Sequence, residues 1–160
     1  GSMNYDIAPS DYDLRGQIML GPGVLSVPAD SPYNTLTEFV DAAKGKEMTV
    51  SNSGAGSIWE LAGISIAKET GAKIKSVPFD GGAPAVAAVL GNQVDAAASG
   101  VNEVKQNLAD GKLKVLAIFH SERHPELPDV PTAAEQGVDL EIGGWGGIYA
   151  PKGLPEDVKA

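Results

Sequence analysis

The stretch 51–57, SNSGAGS, is the first place where this sequence can do chemistry. It follows a short apolar run and opens an apolar helical one. A helix start carries unpaired backbone N–H groups and the positive end of the helix dipole, and both favour a bound anion. Gly54 and Gly56 let a ligand approach the main chain closely, and Ser51, Ser53 and Ser57 add hydroxyls. Ser53, Gly54, Ala55, Gly56 and Ser57 are therefore candidates for gripping an anionic group. A simpler reading stands beside this one. Ser57-x-x-Glu60 is a capping box, and two glycines shape a turn whether or not anything binds there.

Two more corners repeat the pattern. In PFDGGAPA, 78–85, a strand meets two glycines and a helix with Pro84 in its first turn. Gly81, Gly82 and Ala83 either present N–H groups or merely form a left-handed turn. In VDAAASG, 94–100, Asp95 sits in an apolar context. It either meets a polar ligand group or ties down a neighbouring loop. Ser99 reads as a helix N-cap or a ligand contact. Several such junctions in one parallel sheet fall on the same edge, where open α/β sheets bind their ligands, and a shared anion cradle follows.

Other chemistries are poorly served. The G-x-G at 54–56 lacks the third glycine of a dinucleotide fingerprint, and bulky Trp59 stands where close packing is needed; no Walker A lysine is present. His120 and His124 lie four apart in FHSERHPE, but Pro125 discourages the helix that would join them on a metal. No G-x-S-x-G elbow occurs, and no nucleophile stands beside a base. Neither a catalytic residue, a metal nor a cofactor is expected. The formal charge of −9 argues against a nucleic-acid surface. There is no Cys, so disulfides are excluded. No apolar run approaches the ~18 residues of a membrane span.

The elements that position these corners alternate. Extended runs are expected at 18–27, 48–51, 73–79, 93–98, 113–119 and 139–150, and helices at 36–44, 57–70, 84–90 and 101–110. Thr35 with Glu38 and Thr132 with Glu135 form capping boxes, and Gly71, Gly91, Gly111 and Gly137 read as helix stops. Residues 120–131, rich in Pro and charge, read as an ordered surface loop. Trp145, set between glycines, packs either at a lobe junction or in an ordinary core. Gly1-Ser2-Met3 look like a remnant of tag removal and are set aside. Alternation of strands and helices predicts an α/β fold, a mainly parallel sheet flanked by helices.

Taken in order, these stretches resemble the solute-binding receptors of tripartite tricarboxylate transporters, the Bug proteins. The matching elements are SNSGAGSxxxLAG at 51–63, VPFDGGAPAVAAVLGNQVD at 77–95, GKLKVLAIF at 111–119, the segment with Arg123, LPDVPTAAEQG at 127–137 and GWGGIYAPKGLP at 144–155. The resemblance implies a type II periplasmic-binding-protein-like fold with two lobes and a cleft between them. It implies a periplasmic or membrane-anchored extracellular receptor that delivers a small carboxylate, a di- or tricarboxylate or an amino acid, to a membrane permease. It also implies that backbone N–H groups and ordered water hold the carboxylate. On this reading the loop Ser53–Ser57 grips a carboxylate, Gly81, Gly82 and Ala83 line the same cleft, and Asp95 and the residues after it mark a third strand end.

This chain departs from the family pattern in three ways. Glu60 stands where the family often has His, and Asp80 where it often has Lys. Either both side chains point to solvent, or the added negative charge serves a ligand with a cationic group as well as a carboxylate. The resemblance further implies that residues 18–160 are the second lobe alone, excised from a longer receptor or encoded by itself, with 4–17 a segment near the lobe junction. Such a lobe is expected to bind its ligand weakly, and whether two copies pair through the exposed cleft face stays open. The rival readings are a stand-alone sensor or interaction domain and an enzyme acting on a phosphate-bearing small molecule.

Overall fold

Period-two and period-3.6 apolar patterns alternate along the chain, and the secondary structure follows them. The structure is a computed structural model describing residues 12–152, with side chains over 21–144 and at 152. The tag remnant, most of the 4–17 segment and the side chain of Trp145 lie outside the described residues. Strand β1 covers Tyr12–Pro28, helix α1 Leu36–Gly45, β2 Met48–Asn52, α2 Ile58–Thr70, β3 Ile74–Pro78 and α3 Gly82–Leu90. Strand β4 follows at Ala96–Gly100, then α4 at Val101–Ala109, β5 at Leu113–Phe119, a single 3₁₀ turn at Ala134–Gln136 and β6 at Gly143–Pro151.

The sheet order is β3-β2-β4-β1-β5, with β6 pairing β1 off this path. Strands β3 and β4 both run parallel to β2, while β1 is antiparallel to both β4 and β5. Four strands, β2 to β5, thus share one direction and β1 runs against them. The expectation of a mainly parallel sheet becomes a mixed sheet for a plain reason. The long first strand inserts between β4 and β5, which the sequence pattern cannot reveal.

Helices cover both faces. Leu36, Phe39 and Val40 of α1 and Trp59, Ala62 and Ile66 of α2 pack with Leu25, Val50 and Ala98 on one face. Val86 and Val89 of α3 and Val101 and Val104 of α4 pack with Val24, Ala97 and Ile118 on the other. Alternate residues of β4 therefore serve opposite cores, as a pleated strand requires. The chain divides into two compact units, Gly21–Gly143 and a second made of Gly1–Leu20 with Gly144–Ala160. All the corners considered above belong to the first.

Several boundaries move. Helix α3 starts at Gly82, so Pro84 is its third residue, still in the first turn where its missing N–H costs nothing. Strand β4 starts at Ala96 because residues 91–95 make a turn through Asn92 at φ +53°. The Thr132–Glu135 box is real: Thr132 Oγ1 accepts the Glu135 N–H at 3.1 Å, and a Glu135 carboxylate oxygen accepts the Thr132 N–H at 2.8 Å. It starts only one 3₁₀ turn, which Gly137 closes at φ +84°.

Candidate functional site

Because β3, β2 and β4 are neighbours and run parallel, their carboxyl ends fall side by side on one edge. The corners after them, 53–57, 79–81 and Gly100–Val101, are thus brought together. Ser53, Gly54, Ala55, Gly56 and Ser57 form the first and Gly81, Gly82 and Ala83 the second.

The first corner is held by its own side chains. Asn52, buried, accepts the Gly54 N–H on Oδ1 at 3.1 Å and donates from Nδ2 to Ser76 Oγ at 2.8 Å. Ser76 donates to Glu60 Oε1 at 2.9 Å, and Glu60 Oε2 accepts the Gly56 N–H at 2.6 Å. The Gly56 N–H, then Ser76, hold the Glu60 carboxyl below its ordinary range. Ser57 caps α2 by accepting the Glu60 N–H at 3.2 Å. Gly54 at φ +133° and Gly56 at φ +77° make the loop possible, since side-chain-bearing residues avoid both conformations.

This network corrects part of the sequence reading. The Gly54, Gly56 and Gly81 amides are not open: Asn52, Glu60 and the Phe79 carbonyl take them. Among the described residues, no acceptor meets the N–H groups of Ser53, Ala55, Ile58 and Trp59, or those of Gly82 and Ala83. Ser51 does not face the edge; it is buried and donates to the Ala85 carbonyl at 2.8 Å. Glu60 uses both carboxylate oxygens within the protein, whereas Asp80 is exposed.

Asp95 does not join the others. It precedes β4, at the opposite edge of the sheet, where its Oδ2 accepts both the N–H and the hydroxyl of Thr49 at 2.7 Å each. It fastens the starts of β2 and β4, the tying role that the sequence left open. A hollow of about 620 Å³ beside it, lined by Tyr33, Lys46, Thr49 and Asp95, lies at that amino-end edge. Thr49 and Asp95 on its wall already bond each other. Ser99 is not a helix cap either. It is the fourth residue of β4, fully buried, and its Oγ has no hydrogen-bond partner among the described residues; Gly100 is the N-cap of α4.

Two residues at this edge were not expected to belong to the site. Trp59 lies under the corners: a Cβ built on Gly100 would meet its ring at 3.4 Å, and one on Gly23 at 2.6 Å. Glu103 accepts the Gly100 N–H at 2.9 Å, and its carboxylate lies directly against Gly82, so that a Cβ there would collide with it. Gly100-x-x-Glu103 signals half a capping box, but its reach to α3 is a tertiary fact. His120 and His124 each accept a backbone N–H two residues on, from Glu122 and Glu126, at 3.2 Å. Among the described residues no cluster of three or more metal-ligating side chains exists. In the same loop Arg123 forks onto Glu135 at 2.8–3.1 Å and holds that carboxyl down at about 2, with the Thr132 N–H as second cause.

Residues 3–160 match the family model described as the tripartite tricarboxylate transporter family receptor, TctC. The chain belongs to that family. It is 33% identical over 155 residues to a UPF0065 protein in the tcbD-tcbE intergenic region of Pseudomonas sp. (strain P51), covering 93% of this chain and 46% of that protein. An R. palustris protein solved with adipate superposes at a TM-score of 0.89 and 28% identity, over 99% of this chain and 54% of that one. MatC of Rhodopseudomonas palustris, solved with bound malate, gives 0.81 and 28%, over 99% and 55%. The chain thus spans about half the length of the TctC relatives it matches. Among the described residues no helix is long and apolar enough to cross a membrane.

Proposed function

We propose that this chain is a ligand-binding lobe of an extracytoplasmic solute receptor that captures a small carboxylate for a tripartite tricarboxylate transporter. One observation carries the reading: open amides at neighbouring strand-to-helix corners converge on a single sheet edge. Such donors bring partial charge without a side chain's flexibility, and two helix starts add their dipoles. Hydrogen bonds from amides to a carboxylate are charge-assisted and among the stronger ones a protein makes. The structural neighbours solved with adipate and malate support a dicarboxylate-sized ligand. The mechanism is capture and release, with no covalent chemistry: corner amides hold the carboxylate, water fills what they leave, and a facing surface would complete the enclosure. The same reading places the protein in the periplasm or on an extracellular membrane anchor, with the transporter's permease as partner.

Calorimetric titration of the full-length gene product with mono-, di- and tricarboxylates tests this. Ala83→Pro deletes one open amide in the first turn of α3, where proline is tolerated. Loss of one charge-assisted bond should weaken binding about tenfold or more, with the melting temperature little changed. A protein that binds no carboxylate, or an Ala83→Pro variant of unaltered affinity, would refute the proposal.

A further inference from the structure

The carboxylate of Glu103 bridges two of the corners. Oε2 accepts the Gly100 N–H at the start of α4, and the group as a whole lies against Gly82 at the start of α3. Oε1 meets no donor among the described residues. Beneath this bridge is an unusual buried group. Ser99 Oγ has no partner among the described residues, and Ser99 shares its face of β4 with Ala97, which packs with α3 and α4. Asp80 and Glu103 stand at these corners, and 79–85 and 99–104 contain no Lys or Arg.

These observations conflict with binding a plain dicarboxylate at both ends. An anion brought to the α3–α4 corner would meet a carboxylate already there, and Lys105, two residues on in α4, is already paired with Glu126. An ammonium has the opposite requirement, three donors that need acceptors, and Glu103 Oε1 is an acceptor with no donor among the described residues. We propose that Glu103 is a specificity-determining residue that selects a carboxylate bearing an amino group over the same carboxylate without one. The inference rests on the carboxylate-receptor reading and deepens it. Asp80 and Glu60, the acidic residues that the sequence brings to attention, take lesser parts. Asp80 is exposed, and both Glu60 oxygens already bond the protein's own chain.

The test uses matched pairs that differ by one amino group: aspartate with succinate, glutamate with glutarate, 2-aminoadipate with adipate. Affinities are measured by calorimetry on the full-length gene product and on its E103Q variant. Gln keeps an acceptor for the Gly100 N–H and removes the charge. In the unchanged protein the amino member of the best pair should bind about tenfold or more tightly, the worth of one charge-assisted contact. In E103Q that ratio should fall to about one or invert, because the plain partner gains as the amino partner loses. A purely structural role for Glu103 would weaken both members together and leave the ratio in place. The ratio also survives any loss of folded protein, which scales both members alike. A preference for the plain partner in the unchanged protein, or a ratio that E103Q does not move, overturns the inference while leaving the receptor reading intact. Binding of neither member of any pair, nor of any other carboxylate, refutes the receptor reading itself.

Discussion

Asp95→Ala separates architecture from ligand binding. Asp95 Oδ2 takes two hydrogen bonds from Thr49, at 2.7 Å each, and the Asp95 N–H returns one to Thr49 Oγ1 at 3.0 Å. A hydrogen bond to a charged group contributes about 1.5–3 kcal/mol. Two bonds onto one half-buried oxygen do not add in full, since water at the sheet edge takes over part of the exposed Thr49 donors. A net cost of about 2 kcal/mol follows. For a chain of 160 residues, each kcal/mol is worth about 2–4 °C, so the melting temperature should fall by about 4–8 °C. Asp95→Asn, which keeps one oxygen acceptor, should lose about half as much. Thr49→Val in combination with Asp95→Ala should show clear coupling, because the two side chains share these bonds. Circular-dichroism melts read the stability, and calorimetry reads carboxylate affinity, which should stay within about twofold because Asp95 lies at the edge opposite the corners. An Asp95→Ala variant that melts normally yet binds tenfold more weakly would refute the assignment and return Asp95 to the ligand site.

Three further outcomes are expected. Gly23→Ala places a Cβ 2.6 Å from the Trp59 ring, 2.8 Å from the Phe119 ring and 3.0 Å from the Ile142 carbonyl. Such overpacking costs about 1–3 kcal/mol, read from urea midpoints and from a shifted indole emission; an unchanged midpoint would contradict the packing. Glu60→Ala removes the acceptor of the Gly56 N–H and the partner of Ser76. Hydrogen exchange at Gly56 should therefore quicken while amides in β5 keep their protection, and equal protection at Gly56 would show that the network does not hold the loop. Arg123 and the Thr132 N–H depress the Glu135 carboxyl to about 2, below an ordinary glutamate at about 4.3. A carboxyl lowered in the folded state contributes stability that is complete above the ordinary value and lost as pH falls towards about 2. Arg123→Gln should lower stability at neutral pH and flatten this acid limb, and urea melts at about pH 6 and pH 3 decide it.

The periodic parts of the fold were open to sequence reasoning, and the tertiary parts were not. Strand β5 at Leu113–Phe119 needed only its apolar run, and α1 and α2 only their boxes and stripes. The position of β1 between β4 and β5 depends on pairings between residues about 75 and about 90 positions apart, with no local signature. At the corners, glycine spacing marks the edge where β3, β2 and β4 end, yet it cannot tell an open amide from a satisfied one. That distinction turned on Asn52, Ser76 and Glu60, which meet only when β3 lies beside β2. Ser99 looked like a cap because a serine precedes an apolar helical run. The strand runs two residues past 98 to Gly100, so Ser99 lies inside it and Gly100 takes the cap. Glu103 was invisible for a similar reason: its partner across space, Gly82, lies in the preceding helix.

The same network explains how an acidic protein can serve an anion. With a formal charge of −9, a binding site built from lysines would face competition from neighbouring carboxylates for every cation it contained. Amides avoid that competition because they carry no net charge and cannot swing away to another partner. Their strength as donors then depends on being held still, since a loop that must be ordered on binding gives up part of its affinity to conformational entropy. The chain from Gly54 through Asn52, Ser76 and Glu60 to Gly56 does that holding before any ligand arrives. In this arrangement the acidic side chains have divided tasks. Glu60 fixes the donors at the first corner. Glu103, standing between the second and third corners, leaves that space unsuited to another anion. On the proposed reading, the charge that seems to oppose carboxylate capture orders one end of the site and discriminates at the other.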